Sequence, residues 1–413
     1  GQGPVQRKQG SSGSSWVLVL QRPRCIIILE MKVASLPGGQ HRKGRMRIGI
    51  KISPLTVLRA GIPNYILNLL QAFAGLDDDN EYFLYTNRPL PFDLDLPERF
   101  RTVLVRFPSP ALQMWYQAGL PLRMKKDDID IFHDPVYPLP FVLPVPGVIT
   151  IHDLSNYTSP GSHKLRSVLS GRFFPSHLRK ARRIIADSAY TASEIKRLFP
   201  WAFSKVTVIH LGVSKRFRRV TSRETLASVK ELYGLPDRFM LFLGTLEPRK
   251  NISGLLEAFS RVCSRIPHSL VITGGLGWKF QSMLNGIENH SEKERIRLTG
   301  FVSDEHLPAI LCLADFLVYP SFLEGFGFPI LEAMACGTPV ITSNTSSMPE
   351  IAGEAARLVD PHSVRSISEG ILDVANSKDL RRRLSASGIR RVAQFDWEKT
   401  ARQTLEVYRN SAD

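Results

Sequence analysis

The chain has 413 residues, 43% of them hydrophobic and 22% charged, a composition that suits a soluble globular protein long enough for two cores. Its formal net charge of +16 favours anionic partners, whether nucleic acid, an acidic membrane surface or phosphorylated substrates. No apolar run reaches the roughly 18–20 residues of a membrane span, and the four cysteines fit no zinc or disulfide spacing, so they read as separated, reduced thiols.

In chain order, residues 1–45 come first, with eight Lys/Arg against one acid. They read as a poorly ordered, basic, non-native extension from a start assigned too early, or else as a membrane-binding arm. From Met46 short apolar runs alternate with amphipathic stretches. Strands are expected at "RIGIKI", "YFLYT", "RTVLVRF", "IDIFH", "GVITIHD", "RRIIADS" and "KVTVIHLG", with a helix opening at Gly61 in "RAGIPNYILNLLQAF". The charged stretch 218–238 marks a boundary. A second series follows in "FMLFLGTL", "SLVITGG", "RIRLTG", "ADFLVYPS", "TPVITS" and "AARLVD". Strand–helix alternation of this kind predicts parallel sheets covered on both faces. The expected organisation is an α/β fold with two Rossmann-like halves, residues 46–220 and 221–390. Residues 391–413 form a last helix, spaced by Phe395, Trp397, Thr400, Thr404 and Tyr408, that crosses back to the first half.

Open parallel sheets bind ligands at the carboxyl ends of their strands, and four stretches sit there. Gly61 opens a helix after the first strand, where backbone can lie against a phosphate. His152 and Asp153 follow "VITI". Arg249 and Lys250 follow a strand and precede Asn251, a residue suited to cap the helix "ISGLLEAF"; two cations there suit a diphosphate. The fourth stretch is "SFLEGFGFPILEAMACGTPV". Pro329 and Gly337 bound a helix of about two turns. Gly325 and Gly327 let backbone approach a ligand, and free N–H groups at the helix start can bind an anion or hydroxyls. Glu324 in the loop and Glu332 on the helix can face one polyhydroxylated ligand. The bland alternative makes Glu332 half of a buried salt bridge and Glu324 a solvated loop residue. The Asp-x-Asp pairs Asp77/Asp79, Asp93/Asp95 and Asp128/Asp130 read as solvated, so no metal site is expected. The basic stretch 163–188, with Phe173 and Phe174 among arginines, reads either as a face for an anionic membrane or as a solvated helix face.

Glu324 and Glu332 in "PSFLEGFGFPILEAMACGTPVI" form a glutamate-x7-glutamate signature. With "LGTLEPRKN", "TIHDLS", "ADSAYTASEIKRLF" before "VIHLGV", "LTGFVSDEHLPAIL" and the closing "FDWEKTARQTLEVY", all in order over residues 46–410, the chain resembles the retaining glycosyltransferases of family 4, with the GT-B arrangement of two Rossmann-like domains. "GTLEPRKN" looks most like the mannosyltransferase-type members that build bacterial polysaccharides. The resemblance implies transfer of a hexose, mannose first, from a nucleoside-diphosphate sugar, GDP-mannose first, to a glycan or lipid-linked acceptor. No cofactor or metal is implied, the nucleotide-sugar being a co-substrate. It also implies a cytoplasmic protein, with peripheral contact at the inner face of the cell membrane.

The resemblance also implies a role for each site residue. Glu332 binds the ribose, and Glu324 holds the transferred sugar with backbone at Gly325, Phe326 and Gly327. Arg249 and Lys250 neutralise the diphosphate. His152 contacts the sugar near its 6-position. Backbone at Phe301 and Val302 holds the base, and Gly61 meets a phosphate. Two departures stand out: Thr245 replaces an arginine common in relatives, and Gly61 is single where a double glycine is frequent. The rivals are a UDP-sugar-dependent transferase, a nucleotide-sugar epimerase on a similar scaffold, and a nucleic-acid-binding protein. The last shows no reading motif and leaves both glutamates unexplained.

Overall fold

Strands with consecutive apolar residues must be covered on both faces. The computed structural model, which describes residues 15–22, 25–32, 45–56, 61–106, 114–136, 138–158, 173–277 and 280–412, has them so. Strands β1 (Ser15–Arg22) and β2 (Cys25–Lys32) form an antiparallel pair, from Ser15 opposite Lys32 to Arg22 opposite Cys25. This corrects the expectation of an unordered extension: "WVLVL" and "CIIIL" are β-prone runs four residues apart, able to pair locally. The remainder of that expectation, residues 1–14 and 33–44, lies outside the described residues.

Strands β3 (Arg47–Lys51), β4 (Glu81–Thr86), β5 (Phe100–Leu104), β6 (Ile131–Asp134), β7 (Gly147–Ile151), β8 (Arg183–Ala186) and β9 (Val206–Val208) make a parallel sheet in the order β5-β4-β3-β6-β7-β8-β9. The second parallel sheet runs β12-β11-β10-β13-β14-β15. Its strands are β10 (Phe239–Leu243), β11 (Ser269–Thr273), β12 (Ile296–Gly300), β13 (Phe316–Tyr319), β14 (Val340–Ser343) and β15 (Ala356–Val359). Each sheet starts in its middle, winds to one edge and resumes on the other side. The direction therefore switches between β3 and β6 and again between β10 and β13, where crevices open for ligands.

The helices used below are α1 (Gly61–Leu76), α2 (Ala189–Leu198), α3 (Arg223–Tyr233), α4 (Ile252–Val262), α5 (Phe328–Ala335), α6 (Met348–Ala352) and α7 (Trp397–Ala412). Helix α1 buries Tyr65, Ile66, Leu69, Leu70 and Phe73 at three- and four-residue spacing, a continuous stripe on one face. Helix α7 packs on it and buries Trp397, Thr400, Ala401, Thr404, Leu405 and Tyr408. The Tyr408 hydroxyl lies 2.6 Å from His133 Nδ1 at the end of β6, so the last helix belongs to the first lobe's shell. Helix α3 fills the charged boundary stretch. Ser222 accepts from the Thr225 amide at its start, and Gly234 ends it at φ 58°, where other residues are strained.

The chain crosses between lobes twice, and the crossings touch: the Val213 amide donates to the Phe395 carbonyl at 3.1 Å. A second tie lies at α2. Glu350 on α6 accepts from the Ala189 and Tyr190 amides in the first turn of α2 at 2.8 and 3.1 Å, and lies 2.5 Å from His210 Nε2. A carboxylate there satisfies orphan amides and complements the helix dipole.

One sequence reading changes. Asp77 is buried, accepting from Asn80 Nδ2 at 2.7 Å and from the Tyr82 hydroxyl, so it closes the turn before β4 instead of facing water. Cys312 and Cys336, far apart in the sequence, meet in space: Cys312 Sγ lies 3.6 Å from the Cys336 carbonyl, because helix Leu307–Leu313 packs beside α5. Both remain free thiols, as does Cys263.

Candidate active site

A cavity of about 520 Å³ opens between the carboxyl ends of the two sheets. Every site residue singled out from the sequence lines it. Gly61 and His152 come from the first lobe. Arg249, Lys250, Phe301, Val302, Glu324, Gly325, Phe326, Gly327 and Glu332 come from the second. The switch between β10 and β13 explains the convergence. The loop after β10 carries the cations and the loop after β13 carries Glu324, so strands whose paired residues, Met240 and Phe316, are 76 apart in sequence deliver them to neighbouring positions.

Glu324 is 6% exposed, and both its oxygens are engaged. Oε1 accepts from Lys250 Nζ at 2.7 Å and from the Tyr319 hydroxyl at 2.8 Å; Oε2 accepts from Arg249 Nη1 at 2.8 Å. Lys250 Nζ also donates to Tyr319 at 2.5 Å, and Arg249 Nε to Glu247 at 3.1 Å. Burial pushes the Glu324 carboxyl up, but Lys250 and Arg249 together overcome it and hold the pKa at about 2. The two cations are thus already matched by Glu324 and Glu247. What remains for a ligand is directed hydrogen bonding: one N–H of Lys250 and the Nη2 group of Arg249 have no acceptor among the described residues.

Glu332 is the converse case. It sits on α5 between buried Leu331 and Ala333, and its carboxylate has no hydrogen-bond partner among the described residues. Burial pushes its carboxyl up to about 7, since Arg216 attracts too weakly to compensate and Asp304 adds repulsion. The bland alternative is therefore inverted: the loop glutamate is the buried ion-paired one, and the helix glutamate lacks a partner. An acceptor held ready in this way is satisfied when a ligand brings hydroxyls.

The loop between them is built for both lobes. Gly327 takes φ 104° and Gly337 φ 79°, bounding α5 as expected, with Pro329 in its first turn. At Gly325 a Cβ would run into the His152 carbonyl, so that glycine is required by the lobe contact and not only by a ligand. Ser188 Oγ donates to the Gly325 carbonyl at 2.7 Å, and Ser347 Oγ to the Glu324 and Phe326 carbonyls. No acceptor among the described residues takes the amides of Gly325, Phe326 or Gly327. Gly61 carries no such demand: a Cβ there would make ordinary contact with the Phe328 ring at 3.9 Å. Asn251 occupies the expected helix boundary but does not cap. Its side chain donates to the Pro320 and Pro361 carbonyls at 3.1 and 2.7 Å, tying the cation turn to β13.

His152 lies at the end of β7 with neither ring nitrogen free. Nδ1 is 2.5 Å from Asp187 Oδ2, and Nε2 is 2.8 Å from the Pro135 carbonyl. Sequence reasoning passed over Asp187, Tyr319, Arg216 and Asp304, all of which line the cavity. Asp187 and Tyr319 stand where an expected strand ends, which is a signal; their neighbours depend on sheet order, which is not local. Arg216 Nη1 meets Asp304 Oδ2 at 2.7 Å from the far crossing segment. In the basic stretch 163–188, the structure divides the phenylalanines: Phe174 is 1% exposed in the first lobe's core, and only Phe173, at 56%, faces outward. Residues 163–172 of that stretch lie outside the described residues.

Comparison with known proteins bears on the family and the fold. The profile of the family "Glycosyl transferases group 1" matches residues 227–391, and that of "Glycosyltransferase Family 4" matches residues 59–217. The chain is 36% identical over 307 residues to the Escherichia coli "O-antigen chain mannosyltransferase B", covering 74% of this chain and 78% of that one. It is 32% identical over 236 residues to the "Serotype-specific mannosyltransferase WbdA" of Escherichia coli, covering 55% of this chain and 29% of that longer protein. Among solved structures, a sucrose-phosphate synthase from Thermosynechococcus elongatus superimposes with TM-score 0.71 at 20% identity, over 89% of this chain and 99% of that one. Anabaena HepE, solved with UDP and glucose, gives 0.69 at 16% identity, over 88% and 100%. At such identities these structures support the fold: GT-B, two Rossmann-like lobes.

Proposed function

The chain belongs to the family 4 glycosyltransferases, and from that premise we propose that it moves mannose from GDP-mannose to a glycan or lipid-linked acceptor in polysaccharide assembly, with retention and without a metal. The observation that carries this is the pairing in one cavity of Glu332, whose carboxylate has no partner among the described residues, with the Lys250–Glu324–Arg249 cluster. In this reading Glu332 accepts the ribose hydroxyls. The remaining donors of Arg249 and Lys250, with the amides of residues 325–327, take the diphosphate and the sugar. As the bond from the anomeric carbon to the phosphate breaks, its electron pair stays on the diphosphate, and those preset donors stabilise the growing charge. Glu324, saturated by three donors, is poorly suited to act as a nucleophile.

Mannose is taken from the likeness to mannosyltransferases. Guanine is supported by Asp304 and Arg216 at the base end of the cavity, near Phe301 and Val302. A carboxylate suits the adjacent N1–H and 2-amino groups of guanine, and a guanidinium its O6 and N7. Uracil has a single ring N–H for the carboxylate. We take the acceptor to be presented at an anionic membrane. Support comes from exposed Phe141 and Phe173, whose rings lie 6.2 Å apart, with Lys180 Nζ over Phe141 and the Arg179 guanidinium over exposed Trp201. Unchanged binding to anionic liposomes after charge reversal at Arg179, Lys180 and Arg183 would remove the membrane from this reading.

The test of the donor is thermal shift with GDP, UDP, ADP and dTDP, using Lys250→Ala as control. Only a ligand of the folded state raises its apparent stability. A rise with GDP alone, lost in the variant, supports the reading. A rise with UDP alone overturns the donor and keeps the enzyme class. Conversion of the nucleotide-sugar to its epimer without acceptor would instead make it an epimerase.

A further inference from the structure

The ring of His152 is bounded by two acceptors, the Asp187 carboxylate and the Pro135 carbonyl. Strands β7 and β8 are parallel neighbours with Ile151 opposite Ala186, so the next residue on each, His152 and Asp187, stand side by side. Pro135, following β6 on the other flank, supplies a carbonyl to the same ring. A carbonyl brings no proton, so Nε2 must carry one to make its 2.8 Å contact. The 2.5 Å contact between Nδ1 and Asp187 Oδ2 needs a second proton between them. The pair therefore holds two protons and is neutral overall. It is either an imidazolium beside a carboxylate or an imidazole beside a carboxylic acid.

The surroundings decide between these. Asp187 is 1% exposed, and its Oδ1 is buried without a partner among the described residues. Asp153, next to His152 and also lining the cavity, adds a second negative charge. On the core side, His133 is held neutral, its pKa pushed down to about 3 by burial, then by His152 and Lys51. Tyr65 meets the ring edge-on at 5.0 Å between centroids. His210 acts on Asp187 from the crossing segment. Burial opposes charge on both partners and pushes the Asp187 carboxyl up, with His152 and His210 opposing that rise; on the ring, Asp187, the Pro135 carbonyl and Asp153 together outweigh burial and raise the His152 pKa.

We propose that Asp187 is a positioning residue: through Nδ1 it keeps His152 doubly protonated, so that the cavity wall presents a charged Nε2–H donor, parked on the Pro135 carbonyl, to the bound nucleotide-sugar. This rests on the glycosyltransferase reading for its ligand, but not for its proton count. When a sugar hydroxyl or phosphate oxygen displaces the Pro135 carbonyl, the donor is already charged and oriented. No proton is transferred, and the positive charge is fixed in advance of the departing diphosphate.

The test has one arm that needs no ligand. Side-chain nitrogen NMR of the protein labelled with 15N-histidine, with His152 assigned by its loss in His152→Gln, should show both nitrogens protonated at pH 7 and 8. In Asp187→Asn burial is no longer offset by the carboxylate, so His152 should titrate below its ordinary value of about 6.5 and be singly protonated at pH 7 and 8. A singly protonated His152 in the unaltered protein at pH 7 overturns the proposal, whether or not the variant folds. The second arm is GDP release from GDP-mannose. Relative to the unaltered enzyme, Asp187→Asn should lose at least about 30-fold at pH 8, the protonated fraction of a group at or below about 6.5, and distinctly less at pH 6. Its GDP thermal shift should be retained. A loss of equal size at both pH values would show a merely structural role and overturn the proposal. Absence of any GDP response in either protein withdraws the donor and leaves the NMR arm to decide the pair.

Discussion

Replacing Lys250 with methionine tests whether the cation turn and the glutamate loop are one unit. The change keeps most of the side-chain volume and removes one of three donors to Glu324, leaving Arg249 and Tyr319. Breaking a buried, hydrogen-bonded ion pair from one side costs about 3–5 kcal/mol, and the two surviving donors put this case near the low end, about 3 kcal/mol. Glu324→Gln should cost about as much, since it strands Lys250, 6% exposed, beside Arg249 without their shared counter-charge. If the cluster is one unit, the double variant loses little more than either single change. It should cost about 3–4 kcal/mol, against about 6 for independent sites, an interaction of about 2–3 kcal/mol. Urea unfolding at pH 7 of the four proteins measures this cycle. Additive losses, or single losses below about 1 kcal/mol, would refute the cluster as described. The pH dependence gives an internal check. The Glu324 pKa is depressed on folding from 4.5 to about 2. Its contribution is fully present above 4.5 and lost as pH falls toward 2. Lys250→Met weakens that depression, so the variant should lose less stability than the unaltered protein below pH 4.5, and its loss should be complete at a higher pH.

Other expectations follow from the same geometry. Because Glu332 ionises near 7 and its carboxylate is the proposed ribose acceptor, the apparent KM for GDP-mannose should rise about tenfold from pH 8 to pH 6. That rise should vanish in Glu332→Gln; an equal slope in the variant would assign it to another group. The same pKa, raised from 4.5 to about 7, makes its stability contribution complete below 4.5 and lost as pH rises through 7, by up to about 3 kcal/mol. Glu332→Gln should therefore gain melting temperature relative to the unaltered protein at pH 8 but not at pH 5. Gly325→Ala must push the loop off the His152 carbonyl; it should abolish the GDP thermal shift, and a retained shift would show that the loop can give way. Glu350→Ala removes the acceptor of two amides at the partly exposed start of α2 and should cost about 0.5–2 kcal/mol, as the loss of a helix cap does. It should also speed proteolysis of the crossing segment 209–222, and an unchanged digestion rate would mean that the lobes are held elsewhere.

The sequence by itself determined the elements and most of the site. All thirteen strands expected after Met46 form, because apolar runs of four to six residues between turn signals have few other ways to be buried. The ends of α5 were legible for a local reason, since Pro329 and the positive φ at Gly337 act within one turn. What the sequence could not supply was who faces whom. Nothing local says that Glu324 would be saturated by Lys250, Arg249 and Tyr319 while Glu332 stayed without a partner. That follows from β10 and β13 lying side by side at the switch point. Asn251 stood where a cap is expected, yet its amide was drawn to carbonyls 69 and 110 residues away. Asp187 looked like any residue after a strand until the register of β7 and β8 set it against His152. Periodicity and turn chemistry act over a few residues and can be read from the chain. Partnership, burial and protonation depend on contacts between distant segments, and only the tertiary structure decides them.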